Sequence, residues 1–110
     1  MTFLYLSADT MGRGDDVLGR KLLVTFLKTL AASEVRVDLV GCVNSGVFLT
    51  TQEGEALDAL RALEAKGARI ATCGTCLDYH GRRDALRLGV VGAMTQTVEI
   101  LATADRILRP

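Results

Sequence analysis

The sequence contains no tryptophan and a single proline, Pro110, and its 13 Lys+Arg are matched by 13 Asp+Glu for a formal net charge of zero. Each shortage excludes something. Balanced charge leaves no Lys/Arg excess to neutralise phosphates, so no nucleic-acid partner is expected. Three cysteines are too few for a disulfide framework, and free thiols persist in a reducing compartment, which points to the cytoplasm. No run approaches the roughly 20 apolar residues that span a bilayer. The apolar start, Phe3-Leu4-Tyr5-Leu6, lacks the basic flank and length of a signal peptide and meets Ser7-Ala8-Asp9 at once. It reads as a buried first strand, with no membrane partner. Without a Pro/Gly linker, a charge block or a repeat, residues 1–110 read as one domain.

What remains is an apolar chain. Half of it (49%) is hydrophobic and its mean hydropathy is +0.28, which excludes intrinsic disorder. Short apolar runs alternate with longer segments of helical period. Strands are expected at Phe3–Leu6, 35–43, 68–72, 88–91 and Arg106–Leu108. Between them, Leu18, Leu22, Phe26 and Leu30, widened by Leu23 and Leu27, predict a helix with its leucines in the core. Asp15 or Asp16 caps it. Thr50-x-x-Glu53 fits a capping box for a second helix that buries Ala56, Leu57, Leu60 and Leu63 and stops at Lys66-Gly67. A short helical stretch interrupted near Gly81 follows Cys76, and Met94, Val98 and Leu101 mark a last helix. This alternation predicts an α/β fold, a three-layer α/β/α sandwich with a mostly parallel five-stranded sheet. Ligands of such sheets bind outside the carboxyl ends of the strands. That edge would gather Ser7-Ala8-Asp9, Asn44-Ser45-Gly46 and Cys73-Gly74-Thr75-Cys76.

The CxxC carries the sharpest chemistry. At a strand-to-helix junction a thiolate gains from the helix N-terminus and its unpaired N–H groups, so a lowered thiol pKa is expected. Gly74 and Thr75 add no competing charge, and the spacing lets one cysteine attack a bond formed at the other. The bland alternative is a pair of small buried cysteines. Asp78, His80 and Cys42 are conceivable zinc ligands, but structural zinc recruits a second CxxC or a His pair, and no metal is expected. Cys42, among Val and Leu, reads as core. His80, four residues after Cys76, can share its helix face and assist proton transfer, or lie at the surface. Gly12-Arg13-Gly14 has the setting of a phosphate loop but lacks the third Gly and the Lys-Ser/Thr, and Asp15-Asp16 would repel phosphate. It reads as a loop leading into a helix, and no cofactor is expected. Asn44-Ser45-Gly46 is either an ordinary turn or a donor set for the thiol edge.

In order along the chain, Asp9-x-Met11-Gly12-x-Gly14, Asn44-Ser45-Gly46-Val47, Cys73-Gly74-Thr75-Cys76-Leu77-Asp78 and Thr103-Ala104-Asp105-Arg106-Ile107 resemble the DsrE/DsrF-like superfamily. More narrowly, they resemble the C-terminal domain of YedF-type, sulfurtransferase-like selenium metabolism proteins. The resemblance spans essentially the whole chain. It implies a homo-oligomer and sulfur relay, with a persulfide on the cysteine ahead of the third crossover helix, which matches Cys76. Cys73 is then the partner thiol, and Gly12, Asn44, Ser45, Gly74 and Thr75 line the site. YedF-type proteins commonly carry an N-terminal TusA-like domain that is not present in this sequence, so the sulfur donor or acceptor is expected to be a separate, TusA-like protein. The expected function is thus a cytoplasmic sulfur or selenium relay, as a sulfurtransferase or a carrier. The rival from another class is a non-catalytic oligomeric α/β module that binds a partner or small ligand at the same edge. A thiol–disulfide oxidoreductase fits less well, because two helical crossovers precede the CxxC and no cis-proline candidate follows it.

Overall fold

Along each strand, side chains alternate between the two faces of the sheet, and both faces here are apolar, as parallel strands require. The computed structural model describes residues 1–110. Its strands are β1 (Thr2–Leu6), β2 (Leu39–Cys42), β3 (Arg69–Cys73), β4 (Val90–Gly92) and β5 (Arg106–Leu108). They form one sheet in the order β4-β3-β2-β1-β5, and every neighbouring pair is parallel. The mostly parallel sheet of the sequence reading is therefore wholly parallel.

Helix α1 (Asp16–Ala32) joins β1 to β2. A 3-10 turn (Asn44–Val47), the one-turn helix α2 (Phe48–Thr51) and α3 (Glu55–Ala65) join β2 to β3. From β3 the chain enters α4 (Gly74–Tyr79) and a 3-10 turn (Arg83–Ala85), and α5 (Met94–Thr103) links β4 to β5. Leu4, Leu6, Val40 and Ile70 face α1 and α3, whose Leu23, Leu27, Leu57 and Leu60 complete the main core. Each such leucine contributes about 1.5–3 kcal/mol through burial. The other face carries Phe3, Gly41, Ala71 and Cys73, with Ile100 of α5 across from them. Beyond β4 the chain reverses its direction across the sheet to reach β5. That reversal puts α5 on the opposite face and makes the third layer. No helix is long and apolar enough to cross a membrane.

Several local expectations change. Asp15 caps α1 by accepting the Leu18 N–H at 2.8 Å. The core stripe of α1, however, is Leu23, Leu27 and Leu30, while Leu18 and Leu22 are 54% and 43% exposed. Only the side of α1 that meets the sheet and α3 is covered. The capping box does not form. Thr50 is fully buried inside α2, its hydroxyl 2.7 Å from that of Thr72, and Gly54 stands at the N-cap of α3. The second strand is shorter than expected, beginning at Leu39, and the fourth is displaced to Val90–Gly92. Leu88 precedes that strand and joins the core instead. The Lys66-Gly67 stop holds: Gly67 has φ 110° and its N–H returns to the Glu64 carbonyl.

Candidate functional site

The carboxyl ends of β1, β2 and β3 meet, as parallel strands in register require. After β2, Asn44 adopts a left-handed conformation (φ 53°), which asparagine tolerates better than most residues. The turn it starts needs a glycine two residues on: a Cβ on Gly46 would sit 2.3 Å from the Leu6 carbonyl oxygen. So packed, the turn aims its groups at both neighbours. The Ser45 hydroxyl accepts the Asp9 N–H at 3.1 Å, and the Asn44 N–H donates to Cys76 Sγ at 3.2 Å. The turn thereby brings Asn44 to Cys76, which has Cys73 beside it, and ties Ser45 to the chain after β1.

Cys73 ends β3 as the N-cap of α4, and Cys76 is the third residue of that helix. Cys73 is buried and Cys76 half-buried. Gly74 is buried between them; a Cβ there would lie 3.0 Å from Arg83 Nη2 and from Val91 Cγ1. Thr75 is exposed. The acidification expected of a thiol at this junction is reversed at Cys76. Burial pushes the Cys76 thiol above its ordinary value of 9.0, the Asn44 N–H draws it down, and the adjacent Cys73 thiol raises it again. Cys42 lies in the core, 1% exposed, with its thiol pushed up to about 12 by burial.

The remaining candidates lie elsewhere. Gly12 is in the loop after β1, with φ 74° and open space around it, and no hydrogen bond connects it to either thiol. His80 makes no side-chain hydrogen bond to Cys76; its ring packs edge-on against Phe48 at 4.9 Å and Tyr79 at 5.1 Å. The carboxylate of Asp78 is taken by Arg83, through Nε at 2.7 Å and Nη2 at 3.0 Å. Arg83 Nη2 also reaches the Gly74 carbonyl at 3.4 Å, so one guanidinium braces both ends of the six-residue helix. This Arg83 bracing escaped sequence reasoning. Its pairing with Asp78 is not a helical spacing, because Gly81 (φ 64°) turns the chain back after α4.

The contact from Asn44 to Cys76 is the part most open to mutation. Glycine at position 44 keeps the left-handed turn, so Asn44→Gly should alkylate with iodoacetamide at Cys76 as fast as wild type. Valine is strained there, and loss of the N–H from the thiolate should slow alkylation on the order of tenfold at fixed pH. Equal rates in Asn44→Val and wild type would show that this contact does not govern the thiol.

No protein-family model matches the chain, and no curated protein matches it. Solved structures do. The YchN protein from E. coli is 16% identical with a TM-score of 0.61, over 99% of this chain and 98% of its own. MTH1491 from Methanobacterium thermoautotrophicum, described as a protein of unknown function, is 19% identical with a TM-score of 0.65, over 99% and 97%. At such identities the likeness speaks for architecture and not for chemistry. On sheet order, layers and these two neighbours, the chain shares the fold of YchN and MTH1491.

Proposed function

We propose that the chain relays sulfane sulfur, or selenium in the same oxidation state, as a persulfide on Cys76. The observation that carries this is a half-buried thiol held by a backbone N–H at the carboxyl edge of a parallel sheet, with a second thiol beside it. Cys76 as thiolate attacks the outer sulfur of a donor hydropersulfide. A new S–S bond forms at Cys76, the donor's S–S bond breaks, and the donor leaves as a thiolate. The Asn44 N–H, aimed at Sγ, supports the charge on the attacking sulfur. The neutral resting thiol suits a carrier that should not react with every disulfide it meets. Cys73 is the partner that resolves the persulfide or passes its sulfur onward. Asn44 and Ser45 line the site, Gly74 and Thr75 form the turn between the thiols, and Gly12 belongs to the outer rim. The donor or acceptor is a separate protein, of TusA-like type, met in the cytoplasm. A second copy of the chain would cover the apolar side chains that α5 and β4 leave exposed, among them Met94, Val98 and Val90.

Treatment with a low-molecular-weight hydropersulfide followed by intact mass should add sulfur to the wild type and none to Cys76→Ser. A wild type that gains no mass would end the relay reading. The same exposed α5 face favours the second reading, a non-catalytic module, which requires full partner binding by a Cys73→Ala/Cys76→Ala variant.

A further inference from the structure

We infer that Cys73 is a second, sheltered sulfur station, to which a sulfane sulfur passes from Cys76 and where a cavity beneath α5 holds it. This rests on the persulfide reading of Cys76 and adds where the sulfur goes next.

The alternation of β3 places Ile70 and Thr72 in the main core and leaves Ala71 and Cys73 on the opposite face. There, Cys73 borders a cavity of about 40 Å³, together with Val43, Ala71, Ala93, Thr97 and Ile100. A single water-sized occupant needs roughly 10–15 Å³ measured in the same way. A divalent sulfur atom is about the size of a methyl group, so the cavity has room for one. Its lining is mostly apolar, which gives water few partners and suits a soft, weakly hydrated sulfur.

The position in the sheet points the same way. Cys73 is paired in register with Gly92 of the adjacent strand β4. The connection leaving β3 returns through Leu88 on the α1/α3 face, whereas α5 leaves β4 across the other face. At Cys73, Gly92 and Ala93 the cavity thus reaches the point where successive crossovers change sides, the crevice that parallel α/β sheets use for ligands. Cys73 is only 8% exposed, so sulfur has its nearest route in through the neighbouring Cys76 thiol.

The step needs no oxidant or reductant. The Cys73 thiolate attacks the outer sulfur of Cys76–S–SH; the Cys73–sulfur bond forms and the sulfur–sulfur bond at Cys76 breaks. Cys76 leaves as a thiolate and takes up the proton given up by Cys73.

With excess hydropersulfide, the wild type should gain two sulfurs, located by peptide mapping after alkylation on Cys76 and on Cys73. Cyanide should remove the sulfur on Cys73 about tenfold more slowly, because access is restricted. Cys76→Ser should leave Cys73 bare. Filling the cavity with Thr97→Leu, or with Ala71→Val should the first not fold, should keep the sulfur on Cys76 and abolish that on Cys73. Sulfur on Cys76 alone in the wild type would overturn the inference while sparing the relay reading, as would a Cys73–Cys76 disulfide formed with release of sulfide. Retention of both sulfurs in the filled variants would also overturn it. No sulfur on either cysteine would end the relay reading and the inference together.

Discussion

Replacing Gly46 with alanine should lower the stability of the protein by about 3 kcal/mol and its Tm by about 10 °C. The added Cβ would lie 2.3 Å from the Leu6 carbonyl oxygen and 3.1 Å from its carbon. Both are main-chain atoms at the end of β1, a strand hydrogen-bonded on either side by β2 and β5, so they cannot swing away as a side chain would. The turn must lift from the sheet instead. Lifting it withdraws the Asn44 N–H from Cys76, so thiol reactivity should change along with stability. Gly12→Ala is the matched control. Its Cβ meets nothing within 4 Å, and only the left-handed backbone is strained, at about 1 kcal/mol. Thermal unfolding of the two variants checks the argument. A Gly46→Ala Tm within about 3 °C of wild type would mean that the close approach of this turn to β1 is not holding the site together.

The second large effect is alkaline unfolding controlled by Cys42. Burial is the main reason its thiol is pushed up to about 12 from 9.0, with the Thr72 hydroxyl acting weakly in the other direction. The folded value lies above the unfolded one. The stability Cys42 contributes is therefore complete below pH 9 and is lost as the pH rises from 9 toward 12, where the unfolded chain ionises and the folded chain resists. Between pH 9 and pH 11 the wild type should lose on the order of 3 kcal/mol through this group alone. Cys42→Ala leaves a small cavity and should be about 1–2 kcal/mol less stable at neutral pH. Its stability should then fall much less steeply above pH 9. Urea unfolding of both proteins across that range provides the measurement. Parallel losses would assign the alkaline transition to other groups, such as lysines and tyrosines, and remove Cys42 from the account.

The layered α/β architecture was legible because strands buried on both faces read as short apolar runs, and the segments between them carry helical period. Helix ends were legible where the signal is local, as at Asp15 and at Lys66-Gly67. The side of α1 that faces inward was not. Leu18, Leu22 and Phe26 repeat every four residues just as Leu23 and Leu27 do, and only the position of α3 and the sheet chooses between the two rows. Thr50 misled for a similar reason. A threonine three residues before a glutamate satisfies the capping-box pattern, yet Thr50 is drawn into the core, where the Thr72 hydroxyl from β3 gives it a closer partner.

The sequence by itself determined the order of elements and the placing of a CxxC where a strand becomes a helix, since both depend on residues close together in the chain. Tertiary structure decided the character of the thiols. The Asn44 N–H that meets Cys76 comes from 32 residues away, and the Arg83 brace depends on a turn at Gly81. The burial that raises the Cys76 thiol, against the acidity its helix position suggests, exists only once β2, β3 and α4 are packed together. Solvation of a charge is set by everything around it, and spacing along the chain carries little of that.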